Sequence, residues 1–363
     1  MWTPFLLMPR SPTEFTLELS PRARVDVTDV RRLIASRYGD GLDVYPRALC
    51  CSFHTTAGYL DRGVAARLGR TDSDVMPYID VFRTMFPAGA GYEHDKLDRR
   101  TELTEEQKPR EPLNADSHLA FMAGALRTCV SYPNRPGEPI AFVDLDGIHA
   151  GHVRQRRTTV LGYTAEETVA QSRIIVPVST HSVDSINLKD PGLGVYETCA
   201  RLVAEYGVTK GRIRLTLAPG EHHAGLTVNE YETLLMRHDL REVLRDPVRF
   251  MAEKAGHMLG NPRAIPAKTL DYAKYDLVRV FNKLVDALGL RESMVESVLS
   301  RAIGMPAARF LRMKRSVSLL VSDRQVAGQG AIVEGTYQSP ILVQWHRGAR
   351  PTRVLDVTLT RFI

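Results

Sequence analysis

Apolar and polar residues alternate with period two from Phe15 to Val27, which predicts a strand over 15–27. Val30, Leu33 and Ile34 then fall at helical spacing, with Thr28 and Asp29 placed to cap the first turn. The apolar run 48–53 predicts a buried strand that ends at His54. Small residues follow, Thr55, Thr56, Ala57 and Gly58, so the imidazole is approachable and the backbone can come close to a ligand. Val75, Ile79, Phe82 and Phe86 predict a helix over 73–86. Leu119, Met122, Ala123 and Leu126 predict another, capped by Asn114 or Asp116. Between these helices, residues 87–112 are polar and broken by Gly89, Gly91 and Pro109. A loop of that length inside a compact chain is usually functional, and it carries Tyr92-Glu93-His94-Asp95.

Residues 128–161 predict three strands, the last two at 140–145 and 156–161, and the polar stretch 163–172 suits a domain boundary. Past it the order repeats: strand 173–178, helix 195–205, strand 212–217, then Glu221-His222-His223-Ala224-Gly225 and a helix through 231–244. Ala224-Gly225 aligns with Ala57-Gly58, and Asp239 falls where Asp80 falls in the first half. This is the pattern of a tandem duplication. Residues 240–314 depart from it, with helical spacing clearest at Leu277, Val280, Phe281, Leu284 and Leu288. Strands resume at 317–321, 331–333, 341–344 and 352–359, interrupted by Gly335-Thr336-Tyr337-Gln338.

The length of 363 residues favours two domains, and 44% apolar with 25% charged residues is an ordinary globular balance. A net charge of +6 favours an anionic ligand, and a phosphorylated small molecule satisfies it as well as nucleic acid does. No aromatic residues interleave the basic clusters, which argues against a single-strand platform. Cys50, Cys51, Cys129 and Cys199 lack metal-site spacing and read as buried free thiols of a cytoplasmic protein. The segment from Trp2 to Met8 is cut by Pro4 and has no basic lead, so a signal peptide is not expected, and no apolar run is long enough for a membrane helix.

Candidate chemistry concentrates in His54, His94 and His118, predicted at a strand end, in a loop and in the first turn of a helix. Three such histidines can hold a divalent metal with an open position, zinc being the usual partner of nitrogen ligands. Asp116 or Asp95 can take the second ring proton and orient a ligating nitrogen. Alternatively the imidazoles bind a phosphate directly, helped by the helix start at His118 and by arginines. Taken singly, each histidine is more often a solvated or structural residue, and His149, His152, His181 and His257 are read that way. Asp80 and Asp239 are as well explained as helix caps or ion-pair partners. The cluster Arg154, Arg156 and Arg157 suits a solvated face or a phosphate contact.

Four short segments, His54-Thr-Thr-Ala, Tyr92-x-His94-Asp95, Asn114-x-Asp116-x-His118 and Gly335-Thr-Tyr337-Gln338, resemble the signatures of the YjbQ-type family, known as secondary thiamine-phosphate synthases. The resemblance implies an α+β fold built of two tandem domains, at about 14–165 and 170–363, with mixed or antiparallel sheets packed against helices and a helical insertion at about 240–315. Family members form trimers, so it also implies a homo-oligomer, a pseudo-symmetric ring of duplicated domains. The halves keep different motifs. In the first, Gly137-Glu138-Pro139-Ile140 stands at the glutamine motif. In the second, Glu221 stands for the first histidine and Ala307 to Arg312 for the third motif, while Leu226-Thr-Val-Asn229-Glu230 looks intact. One composite site shared between the halves explains this, and it requires Gln338 to lie near the histidines.

The implied activity is metal-assisted transfer on a phosphorylated or diphosphorylated small molecule, a hydroxymethylpyrimidine diphosphate joining a thiazole phosphate with diphosphate release. The resemblance assigns His54, His94 and His118 to the metal or anion, and Asp116, Asn114, Asp95 and Gln338 to catalysis. Thr55, Thr56, Gly335, Tyr337 and Arg154 are assigned to substrate. The alternatives are a metal-dependent hydrolase or lyase of a specialised pathway, and a non-catalytic binding or assembly protein. No membrane partner is expected.

Overall fold

The computed structural model describes residues 10–231, 234–258, 313–348 and 350–363. In chain order the first half holds β1 (Thr13–Leu19), β2 (Asp26–Asp29), α1 (Val30–Tyr38), β3 (Arg47–Ser52), β4 (Ala57–Leu60), α2 (Arg62–Leu68), α3 (Asp72–Met85), α4 (Ala115–Ala123), β5 (Leu126–Arg127), β6 (Cys129–Pro133), β7 (Ala141–Asp144), β8 (Ile148–His149), β9 (His152–Val153) and β10 (Arg156–Tyr163). The second half holds β11 (Glu166–Pro177), β12 (Asp184–Asn187), α5 (Val195–Glu205), β13 (Lys210–Leu217), β14 (Ala224–Asn229), a π turn (Leu235–Asp239), α6 (Leu240–Arg245), α7 (Pro247–Met258), β15 (Ser316–Val326), β16 (Gln329–Val333), β17 (Ser339–Gln344) and β18 (Thr352–Phe362).

The architecture is α+β, and every described strand pair is antiparallel. The larger sheets run β1-β10-β3-β6 and β11-β18-β13-β15-β16, and the smaller ones run β2-β7-β4-β5 and β12-β17-β14. Each half thus uses its first, last and central strands in the same order, so the repeat seen in the sequence recurs as topology. The registers fix residue equivalence. Ala57 pairs with Asp144 as Ala224 pairs with Gln344, and Ser52 pairs with Thr158 as Leu217 pairs with Leu355.

Local chemistry explains most boundaries. The Asp29 side chain accepts from the amides of Arg31 and Arg32 and starts α1 as expected. Thr71 and Asp74 form a reciprocal capping box for α3. The single strand expected over 15–27 is two strands, broken after Leu19 where Pro21 lacks the amide a ladder needs. Leu126 belongs to β5, because α4 stops at Ala123. The expected boundary at 163–172 shrinks to Thr164 and Ala165: β11 begins at Glu166, and both linker amides donate to the Ile363 carbonyl, at 2.6 and 2.9 Å.

Three cores form. One is the first half's own, and the π turn, α6 and α7 of the second half add Leu235, Leu240, Val243 and Phe250 to it. A second belongs to the second half. The third joins them: Leu49, Cys51, Leu161 and Tyr163 meet Leu320 and Phe362, and the Tyr163 and Phe362 rings stack at 4.0 Å. Each such buried side chain contributes about 1.5–3 kcal/mol, so the halves are docked. All four cysteines are buried free thiols. Among the described residues no helix is long and apolar enough to cross a membrane. The expectations for residues 1–9, for the helical spacing Leu277 to Leu288, and for Ala307 to Arg312 lie outside the described residues.

Candidate functional site

β3 ends at Ser52, and its continuation carries the strand-end histidine into the junction between the halves. There the Gln338 amide donates to the Ser52 carbonyl at 3.0 Å and to the His54 carbonyl at 2.8 Å, while its oxygen accepts from the Gly335 amide at 2.9 Å. A Cβ on Gly335 would sit 1.9 Å from the Phe53 carbonyl, so the two backbones touch only because residue 335 is glycine. Gln338 is buried, with donors and acceptor all engaged by main chain. The second half's glutamine therefore clamps the strand end that carries His54. Register corrects one alignment: Val30 donates to the Ile140 carbonyl as Leu188 does to that of Pro340, so Gln338 is level with Glu138, not Ile140.

The His94 loop is held from the same side. Asp239 accepts from the Glu93 and His94 amides at 3.1 and 2.9 Å, and Lys254 donates to the Gly91 carbonyl at 3.0 Å. The His94 ring is buried, with Nε2 3.1 Å from Asn114 Oδ1. Asn114 in turn donates to Asp146 at 2.6 Å, and Arg154 donates to the same Asp146 oxygen. Because the Asn114 amide nitrogen points to a carboxylate, its oxygen must accept, which assigns the proton of His94 to Nε2 and leaves Nδ1 a bare acceptor.

α4 puts His118 in its first turn, 5.2 Å from His94 between ring centroids in an edge-on contact. Both ring nitrogens of His118, Nδ1 of His94, Oδ2 of Asp95 and Nδ2 of Asn229 are buried without a well-formed hydrogen bond, and the Asn229 side chain is the polar group that faces His118 and opposes its lowered pKa. Glu230 Oε1 stands 3.9 Å from His118 Nε2 and accepts from Thr55 at 3.0 Å. Burial lowers both histidines to a pKa of about 3, helped by each other's proximity at His94 and by Arg154 and Arg100 at His118, so both are neutral near pH 7. His54 is also lowered to about 3, by burial and by Arg156, Arg154 and Arg157, and its Nε2 accepts from the Arg157 amide at 2.8 Å.

Asp95 accepts from the Ala115 amide at 3.1 Å, and burial with Asp116 and Asp239 nearby lifts it to about 7. Burial likewise lifts Asp239 to about 6. Asp116 is held by Arg24 through both oxygens, at 2.8 and 2.9 Å, so Asn114 rather than an aspartate orients the His94 ring. Thr56 is buried, and Tyr337 is 69% exposed on the cleft wall.

Above this cluster opens a cleft of about 1270 Å³, lined from the first half by Arg100, His152 and Arg154 and from the second by Lys189, Glu230 and Tyr337. Glu230 and Arg154 reach both the cleft and the buried cluster. His94, Asn114 and His118 are thus brought together with Glu230, Gln338 stays with the main chain at His54, and Asp116 faces a separate cavity of about 270 Å³ beside Arg24. Among the described residues no three His, Cys, Asp or Glu side chains are grouped to hold a metal ion.

Asp144, Asp146, Asn229 and Glu230 were missed as site residues. Asp144 grips the buried Arg156 through both oxygens, at 2.7 and 2.9 Å. The available signal was Asp144-Leu-Asp146 closing a fully buried apolar strand, where an unpaired carboxylate is costly.

No family model matches the sequence, and no curated protein does. The chain is similar to a YbjQ-like protein of unknown function from Sulfolobus solfataricus P2, at 16% identity over 54% of this chain and 99% of that one, with a TM-score of 0.29. It is similar to a hypothetical protein from Aeropyrum pernix K1, at 16% identity over 53% of this chain and 98% of the other, with a TM-score of 0.28. A third is an uncharacterized protein of the yjbq/upf0047 family from Clostridium acetobutylicum, at 14% identity over 53% and 99%, with a TM-score of 0.25.

Proposed function

We propose that the junction between two duplicated YjbQ-like domains is an enzyme site for a phosphorylated or diphosphorylated small molecule. The reaction read from the motifs is thiamine-phosphate-synthase-like transfer. The carbon–oxygen bond to diphosphate breaks, its electron pair leaves with the diphosphate, and a ring nitrogen of the second substrate takes its place on carbon. The observation that carries the reading is the buried His94–His118 pair with unpartnered ring nitrogens beneath a large cleft that Arg154 enters. Perturbed titratable groups of that kind gather where chemistry is done.

In this reading Arg154 meets the anionic group, which leans on charge already fixed in a water-poor site. Glu230 and His118 hold or move a proton at the reacting centre, 3.9 Å apart. Asn114 orients His94, and Gln338, Asp239 and Lys254 hold the elements that carry the histidines. Thr55 fixes Glu230. The copies have decayed in complementary ways, the first keeping the histidines and the second keeping Asn229, Glu230, Asp239 and Gln338.

A metal-dependent hydrolase or lyase is the second reading. One observation favours it: His118 leaves both nitrogens open, and a buried neutral imidazole is the form that ligates metal. His118 and Glu230, 3.9 Å apart, would then offer an ion two donors, with substrate or water oxygens as the rest, and zinc suits such a nitrogen and oxygen set. A ring-shaped homo-oligomer of such chains, in the cytoplasm, completes the proposal.

The purified chain is incubated with a panel of diphosphate and monophosphate esters, each with and without nucleophile and chelator. Diphosphate release that requires the nucleophile supports transfer, and chelator-sensitive hydrolysis supports the second reading. Wild-type rates in both His118→Ala and Glu230→Ala variants would sink each enzyme reading as sited. Binding without turnover would leave a ligand-binding protein.

A further inference from the structure

The β8–β9 hairpin belongs to none of the motifs, yet it stands at the cleft. Its turn residues Ala150 and Gly151 both have positive φ, 47° and 79°, the arrangement that fits a two-residue hairpin to strand twist. Alanine adopts that conformation at a cost, so the surrounding structure must hold the turn. The base is held firmly: Gly147 donates to the Arg24 carbonyl at 2.7 Å and accepts from the Arg154 amide at 2.8 Å. A Cβ on Gly147 would fall 2.5 Å from the Pro21 ring, so that crossing has no room for a side chain.

The consequence is a pair of opposed imidazoles. His149 and His152 are direct cross-strand partners, so their side chains share one face, and both line the cleft beside Arg154. Among the described residues neither ring has a hydrogen-bond partner. Burial, then Arg24 and His152, lowers the His149 pKa, so its ring offers a neutral N–H, and the cations beside it are Arg24 and Arg154. Of the carboxylates that line the cleft, Glu102 and Glu111 are engaged by Arg100, at 2.7 and 2.8 Å, Glu230 accepts from Thr55, and Glu106 accepts from Thr104. Imidazole N–H groups next to a guanidinium make a site for a phosphate oxygen.

We propose that His149 and His152 form a second anion subsite at the rim of the cleft, which takes the distal phosphate of a ligand whose first phosphate lies at Arg154. The inference rests on reading the cleft as a phosphate site, and it narrows the substrate class to molecules with two phosphate groups or an extended polyphosphate.

The test is calorimetric titration of the full chain with inorganic phosphate and with inorganic tripolyphosphate, each with and without chelator, for wild type and for His149→Ala/His152→Ala. Wild type should prefer tripolyphosphate by about tenfold or more, the order of one or two charge-assisted hydrogen bonds. The double variant, with an unchanged melting temperature, should lose that preference and keep its affinity for phosphate. A preference that survives in the variant overturns the subsite. So does a preference that exists only without chelator, because a bridging metal then makes the contact. Wild type that binds neither anion overturns instead the reading of the cleft on which the subsite depends.

Discussion

The corner at His54 and its counterpart at Glu221 use the same pair of hydrogen bonds to the neighbouring strand on backbones of different length, residues 53–56 against 218–223, and with different chemistry. In the first half Phe53 donates to the Arg157 carbonyl and the Arg157 amide donates to His54 Nε2. In the second, Ala218 donates to the Val354 carbonyl and the Val354 amide donates to Glu221 Oε1, at 2.9 Å. The residue before each amide is a buried arginine, Arg156 or Arg353. Arg156 is neutralised from the strand by Asp144, and the corner is free to be a neutral histidine. Arg353 faces the amide of Gln344 at that strand position and is neutralised from the corner by Glu221, at 3.0 Å. The carboxylate and the neutral group have exchanged places around a retained arginine. A buried guanidinium needs one anion, and it tolerates that anion on either neighbour. The lesson is that Glu221 supplies the anion which Asp144 supplies in the first half, so the second corner carries a carboxylate engaged by Arg353 where the first carries a neutral imidazole.

The sharpest way to break this comparison is activity. His118→Ala should lower turnover of the diphosphate panel by about a hundredfold or more, the usual weight of a positioned proton-transfer group, whereas Glu221→Gln should stay within about twofold. Equal losses would mean that the second corner also does chemistry. Stability should run the other way. Glu221→Ala leaves Arg353 buried without its anion and should cost about 3 kcal/mol in urea unfolding. His54→Ala removes one hydrogen bond to a main-chain amide and should cost about 1 kcal/mol. Next in size is the clamp: Gln338→Ala strands the carbonyls of Ser52 and His54 and should cost about 2 kcal/mol, while Glu138→Gln at the matching level should change stability by less than about 0.5 kcal/mol.

The two classes of buried group are separated by pH. His94 and His118 titrate near 3 in the fold and near 6.5 unfolded, so stability from keeping them neutral is complete above 6.5 and lost as pH falls toward 3. Asp95 has the opposite sign: its pKa is about 7 in the fold against 3.8 unfolded, so its contribution is complete below 3.8 and lost as pH rises through 7. Asp95→Asn should therefore gain on wild type between pH 4 and 7, by about 3 kcal/mol in urea melts taken at the two pH values. A constant difference across that range would remove the buried carboxyl from the account.

The repeat was legible because strands, helices and their order leave period and spacing in a sequence; α5 falls on the expected residues 195–205. The composite site requires Gln338 near the histidines, and its amide bonds the main-chain carbonyl of His54. What stayed hidden was the direction of side chains across the junction. Nothing in the spacing of Asp239 marks it as a cap for two amides 146 and 145 residues away, and helix capping was an equally good reading. Asp116 looked like a partner for His118 from its position two residues earlier, but on a helix residues two apart diverge, and it meets Arg24 instead. Asp144 and Asp146 were overlooked because acidic residues at a strand end resemble an ordinary turn until their burial is known.

Only Thr164 and Ala165 separate β10 from β11, and the C-terminal Ile363 is bonded to both. A site assembled from separate subunits is lost on dilution, but one tethered by so short a linker is present at an effective concentration in the millimolar range. Specific activity of this chain should thus be independent of protein concentration down to the nanomolar range, even where any larger assembly has dissociated.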